Sequence, residues 1–185
     1  SESCALDTIG AEFVRDVRPG EIVVITKDGI KSNCEKCLPK EQEARCIFEY
    51  IYFARPDSRI DGVDVYDSRI QAGRFLAQDS PVEADMVVGV PESGNTAALG
   101  YSRESGIPYG KAFVKNAYVG RTFIKPGQSS RESSVQIKLN VIKEAVEGKR
   151  IIMIDDSIVR GTTSDRIVSM LRDAGATEVH VRISS

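Results

Sequence analysis

IIMIDDSIVRGTTSDRIV, residues 151–168, decides how this chain is read. Ile151 to Ile154 is a short, wholly apolar run, the pattern of a strand buried on both faces. It runs straight into Asp155 and Asp156. Two adjacent carboxylates repel each other unless a cation or hydroxyl donors share the charge. Sugar hydroxyls and Mg2+ are the partners that suit them. Ser157, Thr162 and Thr163 then offer hydroxyls, Arg160 a positive charge, and Gly161 backbone angles closed to other residues. From Thr163 to Ala174, Ile167, Val168 and Leu171 recur at helical spacing, and Gly175 supplies the stop. The start of that helix adds free N–H groups and a positive dipole end. The string therefore predicts a phosphate cradle beside a hydroxyl-binding acidic pair, which together suit a 5-phosphoribosyl group. The plainer alternative is a solvated acidic turn followed by a threonine-capped helix. A Walker-type loop is ruled out: Gly89–Gly94 has its gap, but Asn95 stands where the lysine belongs, and no GxGxxG occurs.

Outward from this stretch, strand-like and helix-like segments alternate. Cys46–Ala54 is apolar and aromatic and predicts a buried strand. Asp67–Gln78 predicts a helix with Ile70, Phe75 and Leu76 inward. Asp85–Val90 and Lys111–Val114 predict strands, with a helix over Asn95–Ser105 ended by Gly106. Ser134–Val146 shows helical spacing in Val135, Leu139, Ile142 and Val146. Val179, Val181 and Ile183 alternate as in a strand, with His180 outward and structural. Alternating strands and helices predict an α/β fold, a mainly parallel sheet flanked by helices. Ligands of such sheets sit at the carboxyl ends of the strands, here after Val90, Val114 and Ile154. After Val90, VPESGNTAA (90–98) opens a helix, and backbone N–H groups from Glu92 to Asn95 are candidates for holding a pyrophosphate. Ser93 and Asn95 as plain helix caps are the alternative. Residues 115–133 are irregular and carry Lys115, Arg121, Lys125 and Arg131. A long cationic loop in a compact domain suggests a lid, although a solvated basic loop stays open as a reading. Lys115 is the candidate for pyrophosphate charge.

Composition narrows the partners. The 185 residues suit one domain with an appendage, and 41% apolar content supports a core. A formal net charge of −2 gives no field for capturing nucleic acid. No apolar run approaches the roughly 20 residues that cross a bilayer, and the first residues, SESCALDTIG, lack the charged and apolar regions of a signal peptide, so a cytoplasmic protein is expected. The missing initiator Met and the strand-like end at VHVRISS suggest an excised fragment. Residues 1–33 predict a small β-rich piece, with a strand at Glu21–Thr26 and a turn at Lys27-Asp28-Gly29. Residues 34–45 form a polar connector, and 46–185 the main domain. The four cysteines are too few for a disulfide scaffold. Cys34, Cys37 and Cys46 stand at C-x2-C-x8-C spacing, compatible with zinc, an iron–sulfur cluster or plain thiols.

The DDSIVRGTT loop resembles the phosphoribosyl-pyrophosphate signature of type I phosphoribosyltransferases. EYIYFARPDSRIDGVDVYDSR (49–69), GKAFVKNAYVGRTFIKPGQSSR (110–131) and SESCALDTIGAEFVRDVRPGEIVVI (1–25) resemble the amidophosphoribosyltransferase family in particular, so that only 34–45 matches poorly. The resemblance implies that Asp155 and Asp156 bind ribose hydroxyls directly or through Mg2+. It implies that Ser157, Arg160, Gly161, Thr162 and Thr163 hold the 5-phosphate, that Glu92, Ser93 and Gly94 hold pyrophosphate, and that Ser93 is also a metal ligand. Lys115, Arg121 and Lys125 belong to a loop that closes over the substrate, excludes water and helps form an ammonia path. The implied reaction joins ammonia, drawn from glutamine in a complete enzyme, to phosphoribosyl pyrophosphate, giving 5-phosphoribosylamine and pyrophosphate. Residues 1–33 would be the last part of a glutaminase domain, with Cys4 a buried thiol, and the glutaminase nucleophile is not among them. Cys46 would be one ligand of a structural [4Fe-4S] cluster whose other ligands lie elsewhere. Purine nucleotides as inhibitors and a homo-oligomer are further implications. A salvage phosphoribosyltransferase acting on a free base and a non-catalytic sensing module are the alternatives. The first lacks an aromatic hood here, and the second lacks clustered basic residues for DNA.

Overall fold

The computed structural model describes residues 2–39, 44–116, 139–159 and 161–185. The chain begins with α1 (Ser3–Thr8), the hairpin β1 (Ile22–Thr26) and β2 (Gly29–Asn33), and a π-helical turn at Glu49–Phe53. There follow the two short strands β3 (Arg59–Ile60) and β4 (Val63–Asp64), then α2 (Val65–Asp79), β5 (Met86–Gly89) and α3 (Gly94–Ser105). The remainder is β6 (Phe113–Lys115), β7 (Leu139–Val141), α4 (Lys143–Val146), β8 (Arg150–Asp155), α5 (Thr162–Asp173) and β9 (Glu178–Ile183).

β8 is the middle strand of a parallel sheet ordered β5-β8-β9, with Val88 opposite Met153 and Met153 opposite Val181. Residues 108–110 extend the sheet beyond β5: the Val87 amide donates to the Pro108 carbonyl at 2.9 Å, and the Gly110 amide to the Val87 carbonyl at 2.9 Å. Successive strand side chains point to opposite faces, so the core divides in two. Met86, Val88, Ile151 and Met153 pack with Ile167 and Leu171 of α5 and Val146 of α4. Val87, Ile152 and Ile154 pack with Ala97, Ala98 and Tyr101 of α3 and Ala77 of α2. A layer on each face is why the 151–154 run needs no polar residue. The α/β architecture read from the sequence is the one observed.

α2 and α3 cross without room for side chains at two glycines. A Cβ on Gly73 would lie 1.9 Å from the Ala97 carbonyl oxygen, and one on Gly100 would lie 2.1 Å from that of Ile70. The buried face of α2 carries Val65, Arg69, Ile70, Gly73 and Ala77. Phe75, expected inward, is exposed, because the stripe set by Val65, Gly73 and Ala77 turns it to the other side.

Three expectations need correction. Cys46–Ala54 is not a buried strand. It forms the π-helical turn, with Tyr52 and Phe53 exposed, since a short aromatic run does not by itself choose between strand and helix. Ser134–Val146 is not one helix. Residues 134–138 lie outside the described residues, 139–141 form β7 antiparallel to β6, and only Lys143–Val146 is helical. The Ile142 amide donates to the Ala112 carbonyl at 2.8 Å, so pairing with β6 outweighs the local spacing. In the β-rich N-terminal piece the hairpin is present, with Thr26 paired to Gly29, but Ser3–Thr8 is helical. Glu2 fixes that helix by accepting from the Arg55 amide at 2.6 Å and the Ser58 hydroxyl at 2.8 Å. Cys4 is buried there, as expected.

Candidate functional site

From β5 the chain passes through α3 on one face to residues 108–110 on the outer side of β5; from β8 it passes through α5 on the opposite face to β9. The two connections leave in opposite directions, so the carboxyl ends of β5 and β8 border a topological switch point, where open parallel sheets bind ligands. The candidate residues converge there. The Val90 amide donates to the Ile154 carbonyl at 2.8 Å, tying the loop after β5 to the end of β8. Gly94 makes this approach possible, because a Cβ there would sit 2.5 Å from the Ile154 carbonyl oxygen.

Asp156 is buried, at 6% exposure, and accepts hydrogen bonds from the hydroxyls of Ser93 and Ser157. Two loops distant in sequence thus meet on one carboxylate. Asp155 accepts from the Asp156 amide at 2.9 Å. Burial, and then the neighbouring charge of Asp156, push the Asp155 carboxyl up to about 6. The doublet is a concentrated negative site that a cation would relieve. Lys115, at the end of β6, reaches the same region: its ammonium is 3.8 Å from the Glu92 carboxylate, both groups being exposed. The Gly94 and Asn95 amides already donate to the Val90 and Glu92 carbonyls at 3.0 and 3.3 Å. This narrows the expected pyrophosphate-binding run to the amides of Glu92 and Ser93.

Thr162 and Thr163 open α5 and are exposed. Gly161 caps α5 with φ −46° and ψ −21°, ordinary helical values, so the special backbone angles expected of it are not used here. Arg121, Lys125 and Arg160 lie outside the described residues. His180 pairs with Glu178 at 2.9 Å, away from this convergence in the register of β9. Among the described residues no group of three or more His, Cys, Asp or Glu side chains is arranged to hold a metal ion, and Cys46 is exposed. A four-cysteine cluster needs ligands beyond those the described residues bring together. Among the described residues no helix is long and apolar enough to cross a membrane. A cavity of about 860 Å3 lined by Ala77, Pro81, Ile107 and Arg150 lies at the amino end of β8, and its position argues against it as the substrate site.

Arg69 is the residue that pattern reading passed over. It is buried on α2, and its guanidinium donates to the carbonyls of Tyr50 at 2.6 Å and Ala54 at 2.8 Å. Burial lowers its pKa, while the charges of Asp156 and Glu2 act in the opposite direction. It thus anchors the π-helical turn and places a positive charge within electrostatic reach of the acidic pair. The available signal was a cation in line with Val65, Gly73 and Ala77, at the i, i+4 spacing of an apolar stripe.

The switch-point site and its sheet define a type I phosphoribosyltransferase fold. No protein-family model matches the chain. Along its whole length the chain is 60% identical to the amidophosphoribosyltransferase of Archaeoglobus fulgidus and 56% identical to that of Bacillus subtilis, spanning 40% and 38% of those proteins. It superposes over its full length on the solved structure of the allosteric regulatory enzyme of purine biosynthesis, with TM-score 0.87 at 55% identity and 39% of that chain covered. The B. subtilis glutamine phosphoribosylpyrophosphate amidotransferase complexed with ADP and GMP gives TM-score 0.86 at 54% identity, with 40% of that chain covered. Over its whole length the chain is similar to amidophosphoribosyltransferases, and it spans about two-fifths of the length of the curated relatives it matches.

Proposed function

We propose that this chain carries the phosphoribosyl-transfer site of an amidophosphoribosyltransferase, in which ammonia displaces pyrophosphate from phosphoribosyl pyrophosphate. The observation that carries the reading is the meeting of Ser93 and Ser157 on the buried Asp156 at the switch point. Asp155 and Asp156 hold the ribose hydroxyls, and Ser157, Arg160, Gly161, Thr162 and Thr163 take the 5-phosphate at the start of α5. The Glu92 and Ser93 amides, Gly94 and Lys115 serve the pyrophosphate, with Arg121 and Lys125 contributing from the lid. The adjacent acids, one with its proton affinity raised, and the Ser93 hydroxyl fit Mg2+; when bound, that ion would neutralise charge on the leaving pyrophosphate. The bond from ribose carbon 1 to the pyrophosphate oxygen breaks through an oxocarbenium-like state. A carbon–nitrogen bond forms on the opposite face, and the nitrogen releases a proton. The lid excludes water, which would otherwise hydrolyse the activated ribose.

The same reading takes residues 1–33 as the end of a glutaminase domain, 34–45 as a connector and 46–185 as the transferase domain. Glutamine supplies ammonia in the complete protein, purine nucleotides inhibit, and the protein is a cytoplasmic homo-oligomer. The 52–60% identities to amidophosphoribosyltransferases favour this over the salvage and sensing alternatives.

Titration calorimetry of the full-length protein with phosphoribosyl pyrophosphate tests the site. Mg2+-dependent binding is expected, weakened at least about thirtyfold in the Asp155→Asn/Asp156→Asn double variant, because buried charged hydrogen bonds are lost. Unchanged affinity in the folded variant, or no binding by the folded parent protein, would sink the proposal.

A further inference from the structure

The transfer site leaves one motif unused. Cys34-Glu35-Lys36-Cys37 directly follows β2 and ends just before Leu38. The Cys37 amide donates to the Cys34 carbonyl at 3.0 Å, closing a four-residue turn. Such a turn brings its first and fourth Cα atoms within about 7 Å, and a disulfide spans roughly 4.4–6.8 Å between Cα atoms. The turn is braced on both sides. The Glu35 amide donates to the Asn33 side-chain oxygen at 2.9 Å, and the Leu38 amide to the Pro19 carbonyl at 3.3 Å. The Lys36 carbonyl presses on Gly20, where a Cβ would come within 2.2 Å of it. The thiols remain reachable: Cys34 is exposed and Cys37 half-buried. Burial, and then the neighbouring Cys34 thiol, raise the proton affinity of Cys37. The Ser32 hydroxyl lies 3.7 Å from the Cys34 sulfur. Among the described residues no third metal-binding side chain joins the pair.

We propose that Cys34 and Cys37 form a reversible dithiol–disulfide site that exchanges with small-molecule disulfides such as oxidised glutathione. The exposed Cys34, as its thiolate, attacks one sulfur of the incoming disulfide and releases one glutathione thiolate. Cys37 then loses its proton and attacks the Cys34 sulfur of the mixed disulfide, releasing the second. The two protein sulfurs give up two electrons in total, the small disulfide accepts them, and the two thiol protons pass to the two glutathiones. Oxidation locks the exit from β2 in the turn it already adopts, so little backbone movement opposes it.

The test equilibrates the full-length protein in glutathione buffers of graded ratio, alkylates free thiols and maps the peptides. The peptide carrying Cys34 and Cys37 is expected to pass from doubly alkylated to internally bridged across the series, with only transient glutathione adduct. Cys34→Ser is expected to abolish bridging without altering phosphoribosyl pyrophosphate affinity, a readout that separates this inference from the proposed transfer site. Pairing of either residue with Cys46, a persistent adduct, thiols that stay alkylatable in the most oxidising buffer, or zinc recovered on the pair would each overturn it.

Discussion

β8 and β1 are both short strands rich in isoleucine and valine or methionine, yet they end in opposite environments. Ile151, Ile152, Met153 and Ile154 are all at 0% exposure, whereas Ile22 and Ile25 of β1 are at 60% and 75%. The difference is not in the residues but in the layers around them. β8 has a strand on each side and helices on both faces. β1 has one partner, β2, whose Ile30 is also exposed at 66%. A two-stranded ribbon has no second layer to bury its apolar side chains. Strand formation and core formation are therefore separate events: the sheet around β8 achieves both, and the β1–β2 ribbon only the first.

This contrast can be sharpened by substitution, measured as the urea midpoint of the chain. Leu171→Ala, which empties a fully buried position beneath β8, is expected to cost about 2–5 kcal/mol. A cost below about 1 kcal/mol would mean that the sheet core is less tightly packed than the geometry shows. Arg69→Met should cost about 1–3 kcal/mol, because it strands the Tyr50 and Ala54 carbonyls that Arg69 now satisfies. Arg69→Lys should recover part of that loss; full recovery would show that charge, not the two-carbonyl fork, is what matters.

A smaller effect follows from Asp155. Its carboxyl rises from an ordinary 3.8 to about 6 on folding, so between those values the native state binds more protons than the unfolded chain. In the absence of Mg2+ and substrate, stability should therefore be greatest below about 4 and fall as the pH rises through about 6, as far as this residue is concerned. Chemical denaturation across that range should show the fall, and Asp155→Asn should flatten it. An unaltered slope in the variant would assign the dependence elsewhere. The smallest effect is expected on the hairpin, where Ile25→Ser should change the stability of the chain by no more than about 0.5 kcal/mol. The same substitution costing more in the full-length protein would show that another layer covers that face.

Much of the candidate site was legible because its chemistry is local. Asp155, Asp156 and Ser157 follow one another at the end of an apolar strand, and Glu92-Ser93-Gly94 follows another. That the two runs share a carboxylate through Ser93 was not legible, since it depends on β5 lying beside β8 rather than on anything near either run. Lys115 could be nominated by charge, but its place beside Glu92 comes from residues 108–110 running alongside β5 just before β6. Arg69 escaped notice because a cation in an apolar stripe has meaning only once the Tyr50 and Ala54 carbonyls are seen to face it. Cys46–Ala54 and residues 139–146 depart from the expected strand and helix because apolar spacing over so few residues suits more than one conformation, and pairing partners make the choice.

By itself the sequence determined what is encoded within a few consecutive residues: the alternation of strands and helices, the glycine stops after α3 and α5, and the acid–hydroxyl loop that suits a ribose phosphate. Only the tertiary structure decided which strands became core, which loops met on Asp156 and why Arg69 is buried. Those outcomes depend on the order of strands in the sheet and on close helix passage at Gly73 and Gly100, which bring together groups far apart along the chain.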